Sequence, residues 1–494
     1  MGNEIVRDGR AAVALALVLA GCAGGRGTRT GAPRPVESLA LAPCLVPGLD
    51  ETVRCGTHEV YENRAAGTGR LIGLRVVVLP ATGAAEPDPV FVLQGGPGQA
   101  ASTLAEFYGG GSWAATRRTR DIVLVDQRGT GQSNPLDCDL GGSDADPQGY
   151  LGEMFPPTAV RACRAALERR ADLRLYTTPI AMDDLDEVRA ALGYERVNLY
   201  GTSYGTRAAM VYARAYAPRV RSAVLKGVVA PSTVIPAPFA RDAQRALDLL
   251  VADCAADDAC ASAYPRLADD VRSLFARLDR GPLEAVLRDS AGGRADTLHL
   301  ARGLVAALLR SALQATPGAA QLPLVMHRAA AGDAAPLARL ALTYRRAAAR
   351  GVSTGMLLSV ACAEDAPLLD RFGARDDSHD TFLGSYWVDQ LAAACAEWPR
   401  GTVPRDYRAF ASSDVPALLV SGYLDPATPP RWAEEVALLF PNSRHVVVRN
   451  GSHSFAGLAG CVDGLIADFL RTLRPRELVD ACAARVARPR WVVP

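Results

Sequence analysis

Residues 198–213, NLYGTSYGTRAAMVYA, constrain the fold of this chain more than any other stretch. The apolar run RVNLY ends in GTSYG, and the chain leaves that turn at once as the helical pattern TRAAMVYARAYA. A serine between two glycines at such a reversal needs a strained backbone and close packing, and it stands at the carboxyl edge of a sheet against a helix N-terminus. A plain strand-to-helix bend would use the same residue types. The coincidence of strand, turn and helix signals favours a nucleophile, Ser203, at the edge of a mostly parallel sheet.

Other stretches supply that sheet. LRVVVLP (74–80), PVFVLQ (89–94), DIVLVDQ (121–127) and VRSAVLKGVV (220–229) are short apolar runs separated by helical patterns, as buried parallel strands read. One such helix, TTPIAMDDLDEVRAALGY, has Thr178 as cap, Pro179 in its first turn and Gly193 at its end. From about residue 231 the periodicity is mainly helical, and strand logic returns at VPALLVSGYLDP (415–426) and SRHVVVRNGSH (443–453). The expected organisation is therefore a core over 44–230 and 413–494, interrupted by a helical cap over 231–412. Two helices, near 459–473 and 476–487, should close the chain.

A serine hydroxyl is a poor nucleophile until a base and an orienting acid stand beside it. Asp425 follows one late strand and His453 the next, so both fall at the edge that carries Ser203. His58, His299, His327, His379 and His445 occupy positions that do not follow a strand in this way. An oxyanion also needs donors, for which Tyr204 N–H and a glycine of the pair Gly95 and Gly96, with Gly96 preferred, are placed by LQGGPGQ after an early strand. Asp126 and Arg128, in VDQRGTGQSNP, are expected to buttress the site.

Taken in order, LQGGPG, DQRGTGQS, YGTSYGT, SGYLDPATP and GSH resemble the prolyl and tripeptidyl aminopeptidase branch of the α/β-hydrolases, in particular exported bacterial proteins with a TAP-like C-terminal segment. The resemblance spans roughly residues 44–482. Gln94 departs from the histidine that often precedes the glycine pair in prolyl iminopeptidases. The resemblance implies an α/β-hydrolase core under a helical cap, acyl transfer without a cofactor, and cap carboxylates that receive the free α-ammonium of a peptide. In SVACAEDAP (359–367) those would be Glu364, preferred, and Asp365, beside Cys362 and steadied by a disulfide to Cys395.

At the N-terminus Arg7 and Arg10 precede AAVALALVLA (11–20), too short to span a bilayer and suited to a signal-peptide core. It ends in LAGC, which resembles a bacterial lipobox with Cys22 as the lipidated residue, so 1–22 reads as a signal segment and 23–43 as a flexible tether. The chain has 11 cysteines, and assigning Cys22 to lipid leaves ten. These fall as neighbours in sequence: Cys44 with Cys55, Cys138 with Cys163, Cys254 with Cys260, Cys362 with Cys395, and Cys461 with Cys482. Their connectivity is not fixed by spacing. No C-x-x-C or H-E-x-x-H pattern points to a metal. With 54 basic against 53 acidic side chains, nothing suggests nucleic acid as a partner. The expected partners are a peptide with a free N-terminus and, through Cys22, a membrane. The same core would suit a carboxylesterase for small acyl esters or, with catalysis lost, a binding lipoprotein.

Overall fold

Residues 37–288, 295–410, 412–455, 458 and 460–494 are described by a computed structural model. The expected signal segment, Cys22 and the tether as far as residue 36 lie outside them. The strands are β1 (Ala42–Cys44), β2 (Val53–Tyr61), β3 (Leu71–Leu79), β4 (Val90–Leu93), β5 (Ile122–Val125), β6 (Val197–Thr202), β7 (Val220–Lys226), β8 (Leu283–Arg288), β9 (Ala295–Leu300), β10 (Ala417–Gly422) and β11 (Ser443–Val448). Among the described residues nine of them form one sheet in the order β1-β2-β3-β5-β4-β6-β7-β10-β11. Strand β3 runs antiparallel to β2 and β5, and every pairing from β5 to β11 is parallel. This is the expected α/β-hydrolase core.

The continuous apolar runs follow from covering both faces. In β4, Phe91 and Leu93 join a core with the helices Thr178–Ala191 and Tyr204–Ala215, whereas Val90 and Val92 face the opposite core with the helix Cys461–Thr472. Alternate residues point to opposite sides, and both sides are dry, so polar positions disappear from the pattern. Each fully buried Val, Leu or Phe contributes about 1.5–3 kcal/mol relative to exposure.

The chain leaves this sheet after β7 and returns in β10 directly alongside, with Ala417 opposite Ala223 and Val420 opposite Lys226. The intervening segment has two parts. Helices Phe239–Ala255, Leu267–Leu278, Arg302–Leu313, Leu322–Ala330 and Ala335–Gly351 share their own apolar core, including Leu247, Leu274, Leu309, Met326 and Leu337. The helix Thr354–Glu364 instead sends Met356, Leu358 and Val360 into the main core, with Leu391, Ala394 and Trp398. The helix Thr354–Glu364 and residues 391–398 thus pack into the hydrolase core, whereas Phe382 and Leu383 between them join the core of the insertion.

Several local expectations are corrected. Strands β1 and β2 extend the sheet ahead of the first predicted strand, and the hairpin β8–β9 lies inside the helical insertion. Thr177 rather than Thr178 precedes the first helical turn, because the Thr178 side chain is engaged by Tyr204 and Glu364. No second C-terminal helix forms over 476–487. That segment makes only the turns Pro475–Glu477 and Ala483–Arg485, since the Cys461–Cys482 disulfide and bonds from Arg449 N to Ala483 O (3.2 Å) and Asn450 Nδ2 to Val486 O (2.7 Å) lay it along β11. The ten cysteines do form the five neighbouring pairs.

Candidate active site

Strands β4, β6, β10 and β11 all point the same way, so the loops that follow them meet at one edge. Ser203 follows β6 at φ 56° and ψ −124°, a region costly for a residue with a Cβ. The elbow is over-determined by its surroundings. A Cβ on Gly205 would collide with the Leu93 carbonyl, and one on Gly201 would meet the Gly205 backbone. Ser203 N donates to Lys226 O (2.9 Å), Thr206 Oγ1 donates to Ser203 O (2.6 Å), and Val229 N donates to Thr206 Oγ1 (2.9 Å).

Asp425 lies three residues beyond β10 and is fully buried. Its Oδ1 accepts from Ala427 N (2.6 Å) and Thr428 N (2.9 Å), while Oδ2 accepts from Thr428 Oγ1 (2.7 Å) and His453 Nδ1 (2.8 Å). Burial pushes this carboxyl up, but the neighbouring His453 charge and the bonds from His453 and Thr428 outweigh it and leave the group below the usual carboxylate range. With Nδ1–H directed at Asp425, Nε2 is the imidazole nitrogen free to accept a proton. Thr428 Oγ1 also stands 3.0 Å from Nδ1. Its part in orienting the pair was not foreseen, although a Thr three residues after an Asp, ahead of Pro429, is the kind of turn in which such a bond forms.

Three further features position His453. Gly227 (φ 62°) leaves room for the ring, since a Cβ there would lie 3.2 Å from Nδ1. Ser452 Oγ donates to Leu313 O (2.6 Å) and Ser454 N to Gln314 O (2.7 Å), so the C-terminal end of the helix Arg302–Leu313 grips the loop on both sides of the histidine. The insertion is therefore joined to the site.

Ser203, Tyr204, Gly96 and His453 line one cavity of about 1150 Å³ between the sheet edge and the insertion. Gly95 packs behind them, where a Cβ would come within 3.1 Å of the Ser203 Cβ. Gln94 turns its amide to Tyr108, with Nε2 2.5 Å from the phenolic oxygen. Asp126 accepts from Ser102 N, Ser102 Oγ and Gln132 N at 2.8, 2.8 and 3.1 Å, and Arg128 makes two bonds to Asp184 at 2.6 and 2.8 Å. Both are buried, and neither lines the cavity.

The acids expected to receive an ammonium are differently placed. Glu364 is buried at 1% exposure, away from the cavity wall, and accepts from Thr178 N (2.6 Å), Thr178 Oγ1 (2.9 Å) and Tyr407 O–H (2.7 Å). Burial raises its pKa despite these donors. It ties the helix beginning at Thr178 to the helix ending at Glu364, and it is corrected here from ligand to brace. Asp365 does touch the cavity, but Arg207 (2.9 Å) and Arg408 (2.6 Å) neutralise it and Ile235 N donates to it at 3.0 Å. The Cys362–Cys395 disulfide does stand beside these acids. Among the described residues no group of three or more His, Cys, Asp or Glu side chains is arranged to hold a metal.

Comparison with known proteins adds ancestry. Residues 380–482 match the family model described as TAP-like protein. The chain is 28% identical over 515 aligned residues to "Serine protease Hip1" of Mycobacterium tuberculosis (strain ATCC 25618 / H37Rv), covering 93% of this chain and 94% of that protein. It is 27% identical over 488 residues to "Tripeptidyl aminopeptidase" of Streptomyces lividans, covering 90% of this chain and 86% of that one. Among solved structures, a proline iminopeptidase from Mycobacterium smegmatis aligns at 16% identity with a TM-score of 0.40, covering 85% of this chain and 98% of that one.

Proposed function

We propose that this chain, a homologue over most of its length of the serine protease Hip1 and of a tripeptidyl aminopeptidase, is an exported serine peptidase that releases N-terminal residues or short peptides through an acyl-enzyme. The observation that carries the reading is the 2.8 Å bond between His453 Nδ1 and buried Asp425, in a histidine that shares a cavity with Ser203 at its strained elbow. In this reading His453 Nε2 takes the Ser203 proton as Oγ attacks the scissile carbonyl, and Asp425 steadies the imidazolium. The oxyanion is met by Tyr204 N–H at the helix N-terminus and by Gly96 N–H. His453 returns the proton to the leaving amine. Water, deprotonated by the same imidazole, then frees the acid and restores the serine.

Five disulfides fit an oxidising compartment, which supports export. Lipid attachment at Cys22, holding the enzyme in a bacterial cell envelope by the tether, completes the proposal. A panel of aminoacyl and tripeptidyl anilides, each with a free and an N-acetylated terminus, alongside p-nitrophenyl esters, tests it. Turnover of the free-amine anilides above their blocked forms is expected. Rapid ester hydrolysis with no anilide cleaved would make the chain a carboxylesterase instead.

A further inference from the structure

Arg310 is a charge that the acyl transfer does not use. It lies in the last turn of the helix Arg302–Leu313, within the apolar run GLVAALLRSAL, and is only 5% exposed. It lines the same cavity as Ser203. Among the described residues its guanidinium has neither an ion-pair nor a hydrogen-bond partner, and Nε is buried and unsatisfied. Neither of the two carboxylates that act on it bonds it: Asp425 is bonded to His453, and Asp242 pairs through Oδ1 with Arg431 at 2.7 Å while its Oδ2 is buried without a bond.

Aromatic rings hold it instead. The guanidinium carbon stands 3.8 Å from the centroid of Phe239 and 5.6 Å from that of Trp387. Such stacking fixes the plane of the group and consumes none of its N–H donors. Burial lowers the pKa to about 10, so the group remains cationic at neutral pH. An unpaired buried charge is costly, and a ligand that pairs with it recovers much of that cost.

The wall around it has the same bias. Five cationic side chains line the cavity, among them Lys226, the only lysine of the chain, with Nζ 5.2 Å from the Phe455 ring, against three carboxylates, Asp139, Asp463 and Asp365, the last already paired with two arginines. Position gives the bias a reference point. Arg310 is one helical turn before Gln314, whose carbonyl holds the residue after His453, and it is close enough to Asp425 to interact with its charge, which places it on the triad's side of the cavity.

We propose that Arg310 is a specificity-determining residue that binds a carboxylate of the substrate close to the scissile bond. This rests on Ser203 being the nucleophile. The carboxylate belongs either to the C-terminus of a short peptide or to an aspartate or glutamate side chain beside the cleaved bond, and the two sources are separable. Native enzyme is compared on matched peptides that end in a free acid or an amide, and on pairs with Asp or Asn, and Glu or Gln, flanking the cleaved bond. A charge-assisted bidentate pair predicts a preference in kcat/KM of about 10- to 100-fold for the acid in one of these series. Arg310→Met brings that acid-to-neutral ratio to near one, and Arg310→Lys keeps part of it. Each neutral peptide normalises for losses common to both members of its pair, and thermal unfolding reports on the fold. Equal native rates in all series, a preference that survives in Arg310→Met, or equal falls for acid and neutral peptides would overturn the assignment. Calorimetric titration of the acid and neutral peptides into Ser203→Ala decides the binding question without turnover. Tighter binding of one acid by a similar factor supports Arg310 even if the peptidase reading fails, and equal affinities in every series overturn the proposal even if that reading stands.

Discussion

Asp425→Asn isolates the orienting acid from everything else in the site. Oδ1 of Asp425 accepts two backbone N–H groups, from Ala427 and Thr428, that cannot rotate away. The amide oxygen of an asparagine must therefore occupy that place, and its NH2 falls where Oδ2 now meets Thr428 Oγ1 and His453 Nδ1. The threonine hydroxyl turns and accepts. The imidazole must accept as well, which moves its proton to Nε2 and removes the lone pair that Ser203 needs. Shape and volume are kept, and the tautomer is wrong. Loss of this orientation costs on the order of 10⁴ in kcat, or about 5.4 kcal/mol of transition-state stabilisation. Steady-state hydrolysis of an activated ester and of a tripeptidyl anilide, with circular dichroism to confirm the fold, measures it. A variant that folds normally and retains kcat within tenfold of the native enzyme would refute the reasoning.

Thr428→Val keeps the volume at that position but removes the hydroxyl bonded to Asp425 and set against His453, and kcat should fall roughly tenfold with KM little changed, a loss of about 1.4 kcal/mol. Glu364→Gln can keep all three of its bonds, with its oxygen toward Thr178 N and its amide toward the two hydroxyls, whereas Glu364→Leu strands buried donors. Denaturant unfolding should show Glu364→Leu to be less stable by about 3 kcal/mol or more, and Glu364→Gln by much less. Neither change should discriminate free-amine from blocked substrates. The folded pKa of Asp425 lies below its unfolded value, so its stabilisation is complete above about pH 4 and is lost as pH falls further, through the folded value. The stability gap between native enzyme and Asp425→Asn should accordingly stay level from pH 6 to about pH 4 and narrow below it in denaturant titrations.

The parts of the molecule legible in sequence are those where one local pattern decides the outcome. Strands β4, β5 and β10 are covered on both faces and read as unbroken apolar runs, and the elbow at Ser203 requires its glycines. Asp425 and His453 are picked out by their places after late strands, with the other histidines set aside by position. Contacts between distant segments were not legible. Glu364 and Asp365 look like free acids in sequence, and only the packing of the helix Thr354–Glu364 into the main core reveals that Thr178, Tyr407, Arg207 and Arg408 already occupy them. Strand β8, LEAVLR, carries residues that suit a helix equally well and owes its form to pairing with β9. Arg310 did leave a trace, a lone cation in an apolar helical run, but its meaning depends on Phe239 and Trp387, one on each side in sequence.

The central claim is that Ser203 is a nucleophile activated by His453. The direct measurement is reaction with a fluorophosphonate followed by peptide mass mapping. One adduct on the peptide carrying Ser203, absent from Ser203→Ala and formed far more slowly in His453→Ala, is the predicted result. An unlabelled native protein, or an adduct that persists when Ser203 is replaced, would contradict it.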